Sequence, residues 1–242
     1  QSIPEKAFLY GIPYKLYKQE GIRRYGFHGS SHKYVVNRTI ALSKKKNAKI
    51  ISCHIGNGIS ITASQSGKSV DTSMGFTPLE GVLMGTRSGS IDPAIPIYLH
   101  KLKMSPKEID HLLNKESGIL GLSGISSDMR DIYDAYKKNK PAAIRTMQTL
   151  AYQIAKYIGA YASSLNGLDS LIFTATMGEK AFYLREEICN YLTHLDANLD
   201  KRKNTAYKNG EKIISNSKSK VKIYVIPTNE ELQIATETKA LL

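Results

Sequence analysis

The chain has 242 residues, enough to bury one large core or two small ones. Apolar residues make up 41% and charged residues 23%, an ordinary globular mix; no apolar run reaches the ~18 residues of a membrane span, and no basic-then-apolar leader argues for secretion. The net charge of +13 would suit nucleic acid, but the excess sits in Lys44–Lys46, Lys137–Lys140 and Lys201–Lys222 with no aromatics interleaved for base stacking, which argues against that partner.

In chain order, residues 49–73 predict a three-stranded meander. Lys49–Ile55 is an apolar run, Gly56-Asn57-Gly58 a turn, Ile59–Ala63 alternates apolar and polar, and Gln65–Lys68 turns into Ser69–Ser73. Ser105-Pro106 with Glu108 predicts a capped helix start with proline at its first position, running to about Asn114. Residues 141–165 carry the strongest helical period: Ile144, Met147, Ala151, Ile154, Ile158, Tyr161 and Leu165 make one apolar core-facing stripe. Leu168–Ala175 reads as a buried strand, Thr176–Gly178 as a turn, and Glu179 to about Leu195 as a helix. The polar, basic 196–220 stretch reads as an exposed connection. Val221–Ile226 is a further strand, ended by Pro227. Thr228 and Glu231 have capping-box spacing for a final helix to Leu242. A meander followed by strand–helix–strand–helix predicts an α/β domain. Cys53 and Cys189 lie far apart without CxxC spacing, which suits two buried thiols in a reducing cytoplasm.

Four segments spend glycine and polar residues where a core would not. Phe27-His28-Gly29-Ser30-Ser31-His32 reads as a helix N-terminus capped by Ser30 or Ser31. His28 and His32 are spaced for one helical face, and Cys53 and His54 could join them at zinc, although no HExxH or matching carboxylate is present. His54-Ile55-Gly56-Asn57-Gly58 reads equally as a hairpin turn needing positive φ or as a loop whose backbone N–H groups approach a polyphosphate. Gly81–Pro93 brackets Arg87 between Gly85 and Gly89 with no helical or strand period, which frees the guanidinium fork for a carboxylate or phosphate. Ser126-Ser127-Asp128-Met129-Arg130-Asp131 is a capped helix start with charge of both signs.

Arg24–His32 resembles the RYGFHGTSH signature of the acetate kinase (acetokinase) family. His54–Gly58 resembles its His-Leu-Gly-Asn-Gly loop, Asp71–Pro78 and Gly81–Pro93 its next two blocks, Asp128–Arg130 its Asp-Phe-Arg, and Pro227–Glu231 its Pro-Thr-Asn-Glu-Glu. These matches run from end to end of the chain, in order. The resemblance implies a ribonuclease-H-like, actin-like ATPase domain of the acetate-and-sugar-kinase, Hsp70 and actin superfamily. It implies cytoplasmic, Mg²⁺-dependent, reversible phosphoryl transfer from ATP to acetate, giving acetyl phosphate and ADP. His28 would donate to the phosphoryl oxygens and Arg87 would hold the carboxylate and the transferring group. His54, Ile55, Gly56, Asn57 and Gly58 would cradle the ATP phosphates. Asp128, Met129 and Arg130 would contact the nucleoside, with Thr176, Met177, Gly178, Glu179 and Lys180 on the adenine side, and Glu230 would bind the metal, with Glu231 as capping residue.

The resemblance further implies residues 1–231 as the C-terminal nucleotide-binding domain and 232–242 as a helix returning to an N-terminal domain that lies before Gln1. That half would be supplied as a separate chain if it exists, and a homodimer is expected. Two positions depart from the family's Gly-Ile-Gly-Glu-Asn: Thr176 puts a branched side chain where backbone approach and unusual φ are expected, and Lys180 replaces an amide. Both departures, with the missing half, leave open a non-catalytic remnant that keeps the fold and a dimer surface.

Overall fold

The alternating segments form strands where the sequence predicts them. In the computed structural model, which describes residues 2–241, the meander is β1 (Lys49–Ile55), β2 (Ile59–Gln65) and β3 (Lys68–Thr72). With β4 (Ser170–Thr174), β5 (Lys212–Ile213) and β6 (Lys222–Val225) it makes one sheet of order β3-β2-β1-β4-β6-β5. The meander pairs antiparallel, β1–β4 and β4–β6 pair parallel, and β5 is an antiparallel edge. A meander continued by parallel strands that need helical crossovers is the ribonuclease-H-like arrangement.

Side chains of β1 alternate between the two faces of this sheet. Ile51, Cys53 and Ile55 enter the larger core with Ile59, Ile61, Leu171, Phe173, Ile223 and Val225. The helix Pro141–Ser164 covers that core with its predicted stripe, burying Met147, Ile154 and Ile158, and adds Leu150 to it, each contributing roughly 1.5–3 kcal/mol. On the opposite face Ile50, Ile172 and Tyr224 pack with Val35 and Val36 of the helix Gly29–Ser43. Further along β1 that face turns polar, with Ser52 and then His54 buried beneath the start of the same helix. The sheet therefore has apolar packing at one end and a polar layer at the carboxyl ends of its parallel strands, where ligands bind in open α/β sheets.

Several local readings are corrected. Thr176–Gly178 is not a turn: Ala175–Lys180 is a short helix, Ala181 breaks it, Phe182–Asn190 follows and Thr193–Leu195 is a 3₁₀ turn. The 196–220 stretch is not a bare connection. Asp200 caps a helix, Lys201–Ala206, that seats a fully buried Asn204, and β5 follows it. Ser30 and Ser31 do not cap the Gly29–Ser43 helix; His28 holds the cap position in left-handed backbone at φ 57°. Asn229, not Thr228, caps the last helix, its side chain accepting from the Leu232 N–H 2.9 Å away, so Glu231 has no capping-box partner. That helix, Glu230–Lys239, pairs with Gly29–Ser43 through Lys33 and Glu237 at 2.7 Å, and the 231/232 division falls inside it. Leu242, the expected helix end, lies outside the described residues. The Ser105 capping box forms as predicted on Pro106–Lys115.

Candidate functional site

The polar layer is a stack of imidazoles held by serines. His28 lies parallel to His54, ring centroids 4.0 Å apart at 16°, and His32 sits behind them. Ser60 Oγ is 2.9 Å from His28 Nδ1 and 2.6 Å from His32 Nε2, Ser52 Oγ is 2.7 Å from His32 Nδ1, and Ser31 Oγ is 2.9 Å from His54 Nδ1. Burial, and then the Arg87 guanidinium, hold His28 below its ordinary pKa. Burial, with His28 beside it, pushes His54 down to about 3, and burial takes His32 well below 6.5. All three rings are neutral near pH 7. Cys53 cannot join them, because it faces the larger core from the other side of β1. Among the described residues no three His, Cys, Asp or Glu groups are placed to hold a metal ion.

Arg87 reaches the same spot from a different part of the chain. A Cβ on Gly58 would stand 3.2 Å from His28 Nε2 and 3.4 Å from Arg87 Nη2, so the missing side chain leaves the space on which the two converge. Arg87 is half-buried, donates from Nη1 to the Pro78 carbonyl at 2.8 Å, and takes part in none of the ion pairs among the described residues. Asp92 instead accepts from the Ala94 N–H. Two close backbone contacts hold the Arg87 loop. The Gly85 N–H donates to the Asn57 carbonyl at 3.1 Å, and a Cβ on Gly85 would collide with the Asn57 side chain. Gly56-Asn57-Gly58 is the hairpin turn between β1 and β2, closing on the Ile55–Ile59 pair, but neither Gly56 nor Gly58 adopts positive φ; the space beside Gly58 accounts for that glycine. Ile55 turns into the larger core and offers the site only backbone.

The two segments expected to contact the nucleoside lie together. Asp128, Met129, Arg130, Thr176, Met177 and Lys180 line a cavity of about 500 Å³, within the range of small-ligand sites. Tyr133 and Tyr183, which the sequence reading passed over, complete it with rings stacked 3.7 Å apart at 4°. Asp128 caps the helix Met129–Lys137 and forks with the exposed Arg130 guanidinium. Met129 is buried, and its carbonyl accepts from Tyr183 Oη at 3.0 Å. Thr176 is exposed with ordinary helical backbone; the left-handed residue is its neighbour Ala175, at φ 65°. The unusual φ expected of Thr176 therefore belongs one position earlier. Gly178 packs on Phe173 and the β1 backbone, and Lys180 donates to the Lys208 carbonyl at 3.4 Å.

Ala175 joins this cavity to the imidazole stack, its Cβ 3.8 Å from where a Cβ on Gly56 would stand. Burial raises the Glu179 pKa, opposed by Lys180 and by backbone N–H groups of Thr228 and Ala175, which follow the ends of β6 and β4. Thr174 and Thr228 each bury a hydroxyl without a partner at those ends, and half-buried Glu230 opens the last helix two residues on. Arg185, also unanticipated, is fully buried and donates to the Gly178 and Glu179 carbonyls, fixing the short Ala175–Lys180 helix.

Comparison with known proteins fits this layout. The sequence profile of the Acetokinase family matches residues 1–236. Acetate kinase of Thermotoga maritima is 53% identical over 100% of this chain and 61% of its own length, and that of Dictyoglomus thermophilum is 55% identical over 98% and 60%. Porphyromonas gingivalis acetate kinase superposes with TM-score 0.95 at 41% identity, covering 99% of this chain and 61% of that one. A Francisella tularensis propionate kinase gives 0.92 at 43%, covering 98% and 60%. The chain thus spans about three fifths of the length of these relatives. It belongs to the acetokinase family.

Proposed function

We propose that this chain is the nucleotide-binding portion of a short-chain acyl kinase, moving the γ-phosphoryl group of ATP to acetate and back. The observation that carries the reading is the meeting of His28 Nε2 and Arg87 Nη2 beside Gly58, next to a cavity of nucleoside size. Phosphoryl transfer asks a protein mainly to position the groups and to neutralise charge on the equatorial oxygens. A fixed guanidinium and two neutral imidazoles supply charge and directed N–H donors at one place. In this reading the base lies between Tyr133, Tyr183 and Thr176–Lys180, the phosphates pass Ala175 and Gly56–Gly58, and Arg87 also takes the acceptor carboxylate.

Mg²⁺ suits the far edge of the site. That ion is bound through one or two carboxylates together with phosphate oxygens and water. Glu230 supplies one carboxylate, and the unpartnered Thr174 and Thr228 hydroxyls mark polar capacity left unused nearby. The ion would neutralise charge on the phosphates. The second wall of the cleft would come from the part of the relatives that this chain does not span, so alone it is expected to bind nucleotide without turnover. A homodimer is part of the same reading, supported by Ile97, Tyr98 and Leu102, each more than half exposed on or beside the helix Ala94–Lys101. A cytoplasmic enzyme is consistent with the absence, among the described residues, of any helix long and apolar enough to cross a membrane.

The test is calorimetry of ADP and of adenosine, each with Mg²⁺, on wild type and Asn57→Asp. A carboxylate in the phosphate loop should weaken ADP at least tenfold, about 1.4 kcal/mol, and leave adenosine unchanged. Equal loss for both ligands, or ADP binding that ignores the substitution, would remove the phosphate loop from the site.

A further inference from the structure

Ser52, His32, Ser60 and His28 form one unbranched chain of hydrogen bonds from the interior of the sheet to the site. Its links are 2.7, 2.6 and 2.9 Å long, and Ser52, Ser60 and His32 are all buried. Each hydroxyl has one proton to give and each neutral imidazole has one N–H. The chain can therefore be ordered in only two ways. In the inward order His28 Nδ1–H donates to Ser60, Ser60 to His32 Nε2, and His32 Nδ1–H to Ser52. The Ser52 hydroxyl is then sealed in the interior with no acceptor among the described residues.

In the outward order Ser52 donates to His32 Nδ1, His32 Nε2–H to Ser60, and Ser60 to His28 Nδ1. The last proton then stands on His28 Nε2, which faces the space beside Gly58 and Arg87. A buried donor without an acceptor is penalised by the full desolvation of that group, whereas a hydroxyl oxygen with a spare lone pair suffers far less. The outward order therefore wins. The same comparison applies to Ser31, whose hydroxyl has His54 Nδ1 as its described partner, and it puts the His54 proton on Nε2.

We propose that the buried Ser52–His32–Ser60 relay is a positioning device that fixes His28 as its Nε2–H tautomer, with Ser31 doing the same for His54. The two stacked rings then each present an N–H, that of His28 beside Arg87 and that of His54 beside Gly56, oriented for an oxyanion before it arrives. The tautomers follow from the hydrogen-bond chain alone. Their use on a phosphoryl group rests on the function proposed above. Neutrality of the rings, which the ordering requires, agrees with the burial that depresses all three histidines.

The experiment is a long-range ¹H–¹⁵N correlation spectrum of the ¹⁵N-labelled 242-residue chain near pH 7, which reads the tautomer of each imidazole. His28 and His54 should each appear as one Nε2–H form. Ser60→Ala should add an Nδ1–H population at His28. Ser52→Ala, whose side chain has only His32 as described partner, should do the same from a distance and leave His54 unchanged. A wild-type His28 found as Nδ1–H or imidazolium overturns the proposal even where a variant fails to fold. So does a His28 spectrum untouched by Ser52→Ala. Titration with inorganic phosphate separates the two readings: tautomers as expected but no phosphate-induced shift at His28 Nε2 leaves the relay standing and removes the phosphoryl site.

Discussion

Arg185→Met tests whether the Ala175–Lys180 wall of the cavity is held from beneath. The Arg185 guanidinium is fully buried and meets four oxygens: Asn204 Oδ1 at 2.7 Å, the Glu179 carbonyl at 2.7 Å, the Gly178 carbonyl at 2.9 Å and the Asn204 carbonyl at 3.1 Å. Methionine fills much of the volume but donates nothing, so four acceptors, three of them buried, lose the Arg185 donor. At ~1 kcal/mol net for each bond the gross loss is about 4 kcal/mol. Part is offset, because burial already makes this cation costly, as its pKa lowered to about 10 indicates. A net loss of ~2–4 kcal/mol remains, and for a chain of this size it lowers the unfolding midpoint by roughly 5–15 °C. Differential scanning calorimetry reads the midpoint, and hydrogen exchange should locate the faster opening in Ala175–Lys180. A midpoint within about 2 °C of wild type would show that the carbonyls do not depend on Arg185, and the account of the wall would fail.

Ala175→Gly should be neutral or stabilising by up to about 1 kcal/mol in urea unfolding, because left-handed backbone costs alanine ~1–2 kcal/mol and glycine little. Thr176→Gly, in ordinary helical backbone next door, should instead lose up to about 1 kcal/mol; the opposite ranking would refute the placement of the strain. Stability should also fall on acidification. His54 titrates near 3 when folded and near 6.5 when unfolded, so its contribution is complete above pH 6.5 and is lost as pH falls toward 3. Between pH 7 and pH 5 that loss is about 2 kcal/mol. Urea titrations of His54→Gln should lack this part of the slope, and parallel pH profiles for the two proteins would contradict a neutral buried ring.

Where a pattern is local and repeats, the sequence carried it. The β1–β2 meander, the stripe on Pro141–Ser164 and the Ser105 capping box follow from periods and caps that need no distant partner. Ala175–Lys180 was hidden because its six residues include a glycine and begin at a left-handed alanine, which reads as a turn. The Lys201–Ala206 segment looked like solvated linker because its exposed lysines outnumber the one buried Asn204, whose value depends on Arg185 nineteen residues earlier. In the site, Arg87 and His28 were legible as isolated polar residues among glycines. Ser52 and Ser60 were not, since a serine at an inward strand position looks like a small core filler until the helix that brings His32 onto it is known. Tyr133 and Tyr183 were missed for the same reason, lying fifty residues apart and meeting only in the folded chain.

The electrostatics of the site turn on how little charge it keeps. Two imidazolium ions stacked at the 4.0 Å separation of His28 and His54 would repel by about 4 kcal/mol at an effective dielectric of 20. Arg87 beside His28 adds to that cost, and desolvation acts in the same direction on both rings. Arg87 is therefore the one permanent cation among these converging groups, and the imidazoles work as dipoles aimed by their serines. In the proposed function a single fixed cation with oriented neutral donors would meet an anion without taking up a proton. Its field is then set by geometry: Gly58 leaves the space, Gly85 ties Arg87's loop to Asn57, and the serines hold the rings. Each of these contacts lies at or beside the carboxyl end of β1, so the strand that closes the core on one face also carries His54 and leads into the loop on the other.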